Sequence, residues 1–142
     1  MVSYTTVREI GRGGFGLVEE VKTKNGEKFA TKTLVYPSNA SKASKADLRT
    51  RFEREVKYQS AIDHRHVVPI LGKNLKDDPP WFVMPLAEGS LQRELDVDRT
   101  LGGNQQKAHI DIQAGLEELH RLEYIPRDLC HGHVLLCRDE AP

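Results

Sequence analysis

The alternation of apolar and polar residues in the first quarter of the chain predicts three β-strands. This two-residue period extends over much of three segments, Tyr4–Ile10, Leu17–Thr23 and Glu27–Leu34. The dipeptide Asn25-Gly26 separates the second and third segments, and it is a strong signal for a β-hairpin. The sequence therefore predicts that the chain begins with an antiparallel sheet.

A change of period after residue 37 predicts a helix and then two more strands. Residues 38–47 are small and polar, which is typical of a loop, and Asp47 is the expected N-cap of a helix ending near Asp63. Two further strands are expected at Val67–Gly72 and Trp81–Leu86, separated by a proline-containing turn. The residues expected on the inward helix face are Leu48, Phe52, Val56 and Gln59.

Helical spacing returns in the last third of the chain. Lys107–Leu122 is the strongest helix prediction in the sequence. A short helix is expected at Ser90–Leu95, and a final short strand at Val134–Cys137. The apolar face of the long helix consists of Ala108, Ile112, Leu116, Leu119 and Leu122.

Composition narrows the functional classes without naming one. The 142 residues include 21 basic and 21 acidic side chains, so no net charge favours nucleic acid or an anionic membrane surface. The mean hydropathy is −0.55, and no apolar run approaches the roughly 20 residues of a membrane helix. Two cysteines do not form a disulfide framework, so a cytoplasmic location is expected.

A glycine-rich turn lies between the first two predicted strands, from Ile10 to Val18. Glycines let backbone amides approach phosphate oxygens without a clash from Cβ atoms. A strand follows the turn instead of a helix, so it does not fit the dinucleotide-binding pattern. On its own, the segment is equally compatible with a flexible hairpin loop.

Two charged residues give the glycine turn a chemical context. Lys32 lies within a strand that otherwise favours apolar residues, and a half-buried lysine needs an anionic partner. Glu55 follows Phe52 by three residues, which places it on the inward helix face, whereas Glu53 points away. Either residue alone would be taken for a surface charge. Together with the turn, they predict a phosphate site.

In this order and spacing, these motifs resemble the eukaryotic-type protein kinase family, and bacterial serine/threonine kinases most of all. Asp63–Gly72 resembles the turn and strand after the family's C-helix. Phe82–Leu91 resembles the gatekeeper and hinge, with Met84 as the gatekeeper. Ala114–His120 and Tyr124–Leu129 resemble the helix that enters the catalytic loop and the start of that loop. The resemblance extends from about Tyr4 to Asp139.

This resemblance implies an α+β fold and an ATP site. Residues 1–87 would form the small lobe and hinge, with a five-stranded, mostly antiparallel sheet and one main helix. Residues 88–142 would form the first part of the helical large lobe. Lys32 would pair with the α- and β-phosphates and Glu55 would hold it, while Asp128 would be the base that orients the substrate hydroxyl. The implied nucleotide-binding positions are Ile10, Gly11, Gly13, Gly14, Phe15, Gly16, Val18, Ala30, Lys32, Met84, Leu86, Ala87 and Leu135.

The catalytic-loop segment departs from the family pattern His-Arg-Asp-Leu-Lys-Pro-x-Asn. Pro126 replaces the histidine, Cys130 replaces the lysine, and His133 replaces the asparagine that ligates Mg²⁺. An imidazole is a poor ligand for that ion, which prefers oxygen. No Asp-Phe-Gly tripeptide occurs before Pro142. The chain alone is therefore expected to be catalytically impaired, with doubtful Mg²⁺ binding.

Other interpretations stay open at this point. The chain could be a non-catalytic interaction module of kinase fold, or one fragment of an active serine/threonine kinase. Zinc binding is a further alternative for the Cys130, His131, His133 and Cys137 cluster, although its spacing is unlike common structural zinc sites. In the family, the apolar face of helix Ala108–Leu122 packs on later helices, so we expect it to bind a protein partner or a second copy.

Overall fold

A computed structural model describes residues 2–13, 15–87, 89–90, 103, 105–121 and 135–136. The chain divides into two compact units. The first consists of Met1–Ala61 and Pro69–Leu86, and the second of Ile62–Val68 and Ala87–Pro142. None of the described helices is long and apolar enough to cross a membrane.

The first unit contains a five-stranded sheet in which all neighbouring strands run antiparallel. The spatial order is β1-β2-β3-β5-β4, which confirms the predicted sheet. The hairpin between β2 and β3 also forms at the predicted turn, where Gly26 adopts a φ of 83° that favours glycine. The strands are β1 (Thr5–Arg12), β2 (Gly16–Lys22), β3 (Lys28–Leu34), β4 (Gly72–Asn74) and β5 (Trp81–Pro85).

Helix α1 spans Lys42–Ser60, so the prediction that Asp47 caps its N-terminus is wrong. Ser41 is the N-cap, and its Oγ accepts the backbone N–H of Ser44 at 3.1 Å. The segment after Ser41 alternates lysine with alanine and serine, and good helix formers there extend the helix toward the cap. At the other end, the helix stops at Ser60, three residues before the expected end at Asp63.

Apolar packing fixes the C-terminal half of α1 to the sheet. The Phe52 ring contacts the Phe82 ring of β5, with 5.7 Å between their centroids. Val56 is completely buried. Full burial of side chains of this size stabilises the fold by about 1.5–3 kcal/mol each. The buried apolar residues of this unit are Val21, Ala30, Leu34, Phe52, Val56, Phe82, Val83 and Met84.

The predicted strand at Val67–Gly72 is wrong except at its last residue. Strand β4 begins at Gly72, although the N–H of Leu71 already donates to the Val83 carbonyl at 2.8 Å. Pro69 has no N–H to contribute to a strand ladder, which accounts for the late start. The next prediction, Trp81–Leu86, is confirmed by β5 with an end one residue earlier.

An aromatic cluster lies on the sheet face opposite to the one that carries Lys32. The Tyr4 ring stands edge-on to the rings of Phe29 and Trp81, with 6.2 Å between centroids in each pair. Phe29 of β3 pairs with Pro85, and Trp81 of β5 lies four residues before Pro85, so the two side chains share this face. Tyr4 thereby attaches the start of the chain to the centre of the sheet.

In the second unit, helix α2 (Gln105–Arg121) confirms the helix predicted at Lys107–Leu122. Strands β6 (Gly89–Ser90) and β7 (Leu135–Leu136) pair antiparallel. The predicted strand at Val134–Cys137 is thus present at its two central residues. Ser90 lies in β6 instead of the short helix expected there, and residues 91–95 lie outside the described residues.

Helix α2 approaches the segment before β4 closely within its own unit. A Cβ atom added to Gly115 would lie 2.9 Å from the carbonyl oxygen of His66. One turn earlier, Asp111 Oδ1 lies 3.4 Å from His66 Nε2. Glycine at position 115 therefore permits backbone contact between the helix and this segment.

Candidate nucleotide site

The register of the sheet brings four predicted site residues to one face. Val18 pairs with Lys32, and Ala30 pairs with Met84 one row further along. Directly opposed residues of antiparallel strands point to the same side, and rows two residues apart share a face. Phe82 belongs to the row of Lys32 and contacts Phe52, so α1 packs on this same face.

The predicted pair between Lys32 and Glu55 is present. Lys32 Nζ lies 3.4 Å from Glu55 Oε1, and the two side chains are 30% and 42% exposed. A pair with this exposure contributes little to stability, typically 0–1 kcal/mol. Its importance is therefore positional, because β3 and α1 together hold an ammonium group at a fixed place on the sheet face.

The glycine turn folds back beside that lysine. The N–H of Gly13 donates to the Gly16 carbonyl at 2.8 Å, and the N–H of Val35 donates to the Phe15 carbonyl at 2.9 Å. Gly16 is buried, with the aliphatic stem of Lys32 next to it. A Cβ atom at Gly11 would meet no atom within 4 Å, so the space beside this end of the turn is open. The turn, Lys32 and this open space fit a phosphate group.

The remaining nucleotide-binding candidates fall into two groups. Met84 is buried, Ile10 is exposed on β1, and Leu86 and Ala87 are half-buried after β5. The backbone of Leu135 lies in β7, and its side chain is not among those described. The candidates outside the described residues are Gly14, the catalytic candidate Asp128, and the zinc alternatives Cys130, His131, His133 and Cys137.

A buried carboxylate on the same face was missed by the sequence reasoning. Glu20 pairs with Arg8, lies 3.4 Å from Lys28, and has a side chain that is only 5% exposed. The hydrogen bond from Arg8 lowers the pKa of Glu20, and Lys28 lowers it further against the opposing effect of burial. Its row contains Ala30 and Met84. Alternation gave no signal for its burial, because Leu17 and Val21 put Glu20 at a polar position of the two-residue period.

A cavity of about 480 Å³ lies elsewhere in the first unit, between the tip of the glycine turn and the N-terminus of α1. Neither Lys32 nor Glu55 lines it, and it adjoins the candidate site only through Phe15 of the glycine turn. In the part of the chain that the structure describes, no group of three or more His, Cys, Asp or Glu side chains is arranged to hold a metal ion. The cavity is lined by Phe15, Pro37, Asn39, Ala40, Ser41, Ser44, Asp47 and Leu48.

Comparison with known proteins gives consistent matches along nearly the whole chain. The sequence profile described as "Protein tyrosine and serine/threonine kinase" matches residues 4–141. The chain is 27% identical over 136 residues to the probable serine/threonine-protein kinase zyg-1 of Caenorhabditis briggsae. It is 30% identical over 136 residues to the serine/threonine-protein kinase TAO2 of Xenopus laevis.

A plant relative extends the same similarity. The chain is 33% identical over 141 residues to the calmodulin-binding receptor-like cytoplasmic kinase 3 of Arabidopsis thaliana. Each of the three alignments includes 94% of this chain. The chain spans only 18%, 13% and 26% of the lengths of these three relatives, in the order given.

Proposed function

Because the chain belongs to the protein tyrosine and serine/threonine kinase family, we propose that it binds ATP between the glycine turn and the Lys32 side of the sheet. The Lys32–Glu55 pair carries this proposal, since Lys32 Nζ lies 3.4 Å from Glu55 Oε1. An ammonium group held beside a glycine turn provides charge and backbone donors for phosphate oxygens.

Each part of the nucleotide has candidate residues in the first unit. The backbone of the glycine turn and the Lys32 ammonium would hold the phosphates. Val18 and Ala30 would contact the adenine, and Met84 would limit the depth of its pocket. When bound, ATP supplies a γ-phosphoryl group that a kinase can transfer.

We further propose that the 142-residue chain transfers that group poorly. Asp128 occupies the position of the family's base, but Cys130 removes a positive charge close to the transferring phosphate. His133 places an imidazole where an amide oxygen would ligate Mg²⁺, and this ion prefers oxygen ligands. Groups that act as a unit in catalysis lose far more than their separate effects when one is replaced. Nucleotide binding without efficient phosphoryl transfer is the expected result. We also propose that the protein is located in the cytoplasm.

Thermal unfolding of the chain with and without ATP tests the binding proposal. A ligand at 100 times its Kd stabilises the folded state by about 2.7 kcal/mol, which raises the melting temperature by several degrees. Lys32→Ala should remove the rise. The control is Lys22→Ala, which removes an exposed lysine of β2 that lies outside the proposed site. A flat curve for the unmodified chain at millimolar ATP contradicts the proposal and favours the non-catalytic interaction module.

Association through α2 is a second proposal about this chain. Ile110 is exposed on the helix, while Ile112 and Leu116 are half-buried. The side chain of Leu119 and the whole of Leu122 lie outside the described residues. Light scattering as a function of concentration tests it: a dimer that Leu116→Glu converts to a monomer supports association, and a monomer at every concentration contradicts it.

A further inference from the structure

Arg49 occupies an unexpected place on helix α1. It precedes Phe52 by three residues and Val56 by seven, so it lies on the helix face that packs against the sheet. The helical period favours an apolar side chain there. Arg49 is instead a half-buried cation, with a side chain that is 26% exposed.

The guanidinium group of Arg49 connects α1 to the turn between β4 and β5. Nη2 donates to the backbone carbonyls of Asp77, at 2.9 Å, and of Leu75. Nη1 donates to Asp78 Oδ1 at 3.3 Å. Nε donates to Glu53 Oε1 on the next turn of the helix at 3.1 Å. A planar fork with donors at fixed angles suits this set of acceptors, and a lysine ammonium does not reproduce it.

The turn that accepts these hydrogen bonds is shaped by contacts of its own. Asn74 Oδ1 accepts the N–H groups of Lys76 and Asp77 at 3.1 and 3.2 Å. Trp81 Nε1 donates to Asp77 Oδ2 at 2.8 Å. The carbonyls that face Arg49 are therefore held in place from the sheet side.

A second link joins the same cluster to the segment after β3. The Tyr36 hydroxyl donates to Asp78 Oδ1 at 2.9 Å, so Tyr36 and Arg49 share one carboxylate. Lys45 Nζ of α1 lies 5.7 Å from the centroid of the Tyr36 ring, within the range of a cation–π contact. The N-terminal half of α1 is thus attached through polar contacts.

These polar contacts bear on the rotation of α1 about its own axis. All residues of α1 are described, and its two buried side chains, Phe52 and Val56, both lie in its C-terminal half. Apolar contacts are not directional, so they resist separation of the helix more than its rotation. A rotation of about 20° moves an atom that lies about 6 Å from the helix axis by about 2 Å. The Lys32–Glu55 separation of 3.4 Å is already at the long end for a hydrogen bond, so a rotation that carries Glu55 away from β3 breaks it.

We propose that Arg49 is a positioning residue, which sets the rotation of α1 and so keeps Glu55 against Lys32. Arg49 contacts neither member of that pair and acts through the helix. The inference rests on the proposed binding of ATP phosphates by Lys32. It predicts that the affinity for phosphates depends on a side chain six residues, or about 1.7 helical turns, away from Glu55.

Titration of each variant with ATP and, separately, with adenosine tests this inference. Arg49→Ala should raise the Kd for ATP about tenfold or more, the scale of one lost hydrogen bond to a charged group. The Kd for adenosine should stay within about twofold, because adenosine has no phosphate for Lys32 to bind. Arg49→Lys should give an intermediate loss, and it also serves if Arg49→Ala does not fold.

The matched control is Arg51→Ala on the same helix, where Arg51 pairs with Asp47 at 3.1 Å and is largely exposed. Neither Kd should change. Equal losses for ATP and adenosine in Arg49→Ala would indicate general damage to the fold and would overturn the positioning role.

A double-mutant cycle identifies the route of the effect. In a Glu55→Gln background, Arg49→Ala should cause no further loss of ATP affinity, because Arg49 acts through Glu55. Additive losses overturn the inference, and so does an unchanged ATP-to-adenosine ratio in the single variant. If the unmodified chain binds adenosine and ATP equally, or neither, the proposed phosphate site itself has failed. That outcome is distinct, since it appears before any variant is made.

Discussion

Gly16 and Lys32 lie so close that a β-carbon at Gly16 would come within 3.0 Å of Lys32 Cε. The two residues are on neighbouring strands, one at the end of the glycine turn and the other on the sheet face that carries the candidate site. The atom in the way is near the end of a flexible side chain, so Lys32 would move while the backbone stayed in place. Glycine at this position therefore preserves the placement of the ammonium group.

We predict that Gly16→Ala weakens ATP binding with little effect on stability. Displacing Lys32 from Glu55 should raise the Kd for ATP about tenfold, the scale of a hydrogen bond to a charged group. The cost of moving the side chain is offset by the reduced entropy of the unfolded chain, which stabilises by about 0.4–1 kcal/mol. Calorimetric titration and urea unfolding measure the two effects separately.

Gly72→Ala is the matched control for that experiment. A Cβ atom at Gly72 meets no atom within 4 Å, and the residue lies on β4, away from the turn. Its ATP affinity should equal that of the unmodified chain. If both alanine variants bind ATP equally well, the contact between Gly16 and Lys32 has no role in binding.

The second prediction concerns the buried Glu20 and the pH dependence of stability. Arg8 lowers the pKa of Glu20 in the folded state below its usual value of 4.5. A carboxylate with a lowered pKa stabilises the fold above its unfolded-state pKa, and this contribution is lost as the pH falls through the folded-state pKa. Glu20→Gln should therefore lower the melting temperature most at neutral pH.

As the pH falls below 4.5, the difference in melting temperature between the unmodified chain and Glu20→Gln should narrow. Glu9→Gln provides the comparison, because Glu9 forms an exposed pair with Arg12 at 3.1 Å. Exposed pairs contribute little, so this variant should resemble the unmodified chain at every pH. A Glu20→Gln difference that is constant from pH 7 to pH 3 contradicts the ion-pair explanation.

The sequence was sufficient to predict most of the sheet, and the errors have physical causes. Alternation identified β1, β2 and β3, although β1 is almost wholly exposed. Strand β5 was also predicted, and its three central residues are consecutive and buried, so it does not follow an alternating pattern. The start of α1 was misplaced because Ser41 and Asp47 are both good N-caps, and local chemistry does not rank them. The prediction of a strand from Val67 was wrong because Pro69 has no backbone N–H for the sheet, although the segment is apolar.

The third prediction concerns Gly115→Ala, in which a gain in helix propensity opposes a steric overlap. Alanine improves the helix by about 1 kcal/mol relative to glycine. The new Cβ atom would lie 2.9 Å from the His66 carbonyl oxygen, and inserting an atom into a packed contact costs about 1–3 kcal/mol. The obstacle is backbone, which cannot swing aside, so we expect a net loss of about 1 kcal/mol in stability.

Ala114→Gly calibrates that result on the same helix. It should cost about 1 kcal/mol through propensity alone, so the two opposite substitutions should both destabilise. Chemical denaturation measures both. A Gly115→Ala variant that is more stable than the unmodified chain would show that α2 does not approach His66 as closely as described.

The fourth prediction addresses the altered catalytic loop. With His133 in place of an asparagine, the Kd for ATP should change by less than about threefold between EDTA and excess Mg²⁺. Transfer of the γ-phosphate to a general substrate protein should be undetectable. Transfer that Asp128→Asn abolishes would falsify the proposed impairment, and ATP binding that requires Mg²⁺ would contradict the role given to His133.

The candidate site was predictable where residues depart from a local sequence pattern, and not where contacts depend on the fold. Lys32, Glu55 and the glycine turn were predictable because each breaks a local pattern at a spacing that brings them together. The burial of Glu20 was not predictable, because its partners Arg8 and Lys28 are apparent only after strand register is known. The role of Arg49 was not predictable, because it binds backbone carbonyls of a turn. Every residue has a backbone carbonyl, so the sequence does not indicate which ones face Arg49.

The indole of Trp81 gives this architecture an optical property. Trp81 is the single tryptophan of the chain, and its N–H group binds Asp77 in the turn that Arg49 contacts. The indole also contacts the ring of Tyr4, which is close enough for excitation energy transfer from the phenol to the indole. Tryptophan fluorescence of this chain therefore comes from Trp81, where the β4–β5 turn, the sheet and the N-terminal segment with Tyr4 meet. Its wavelength changes with the polarity at that junction, so fluorescence can follow the turn without any added label.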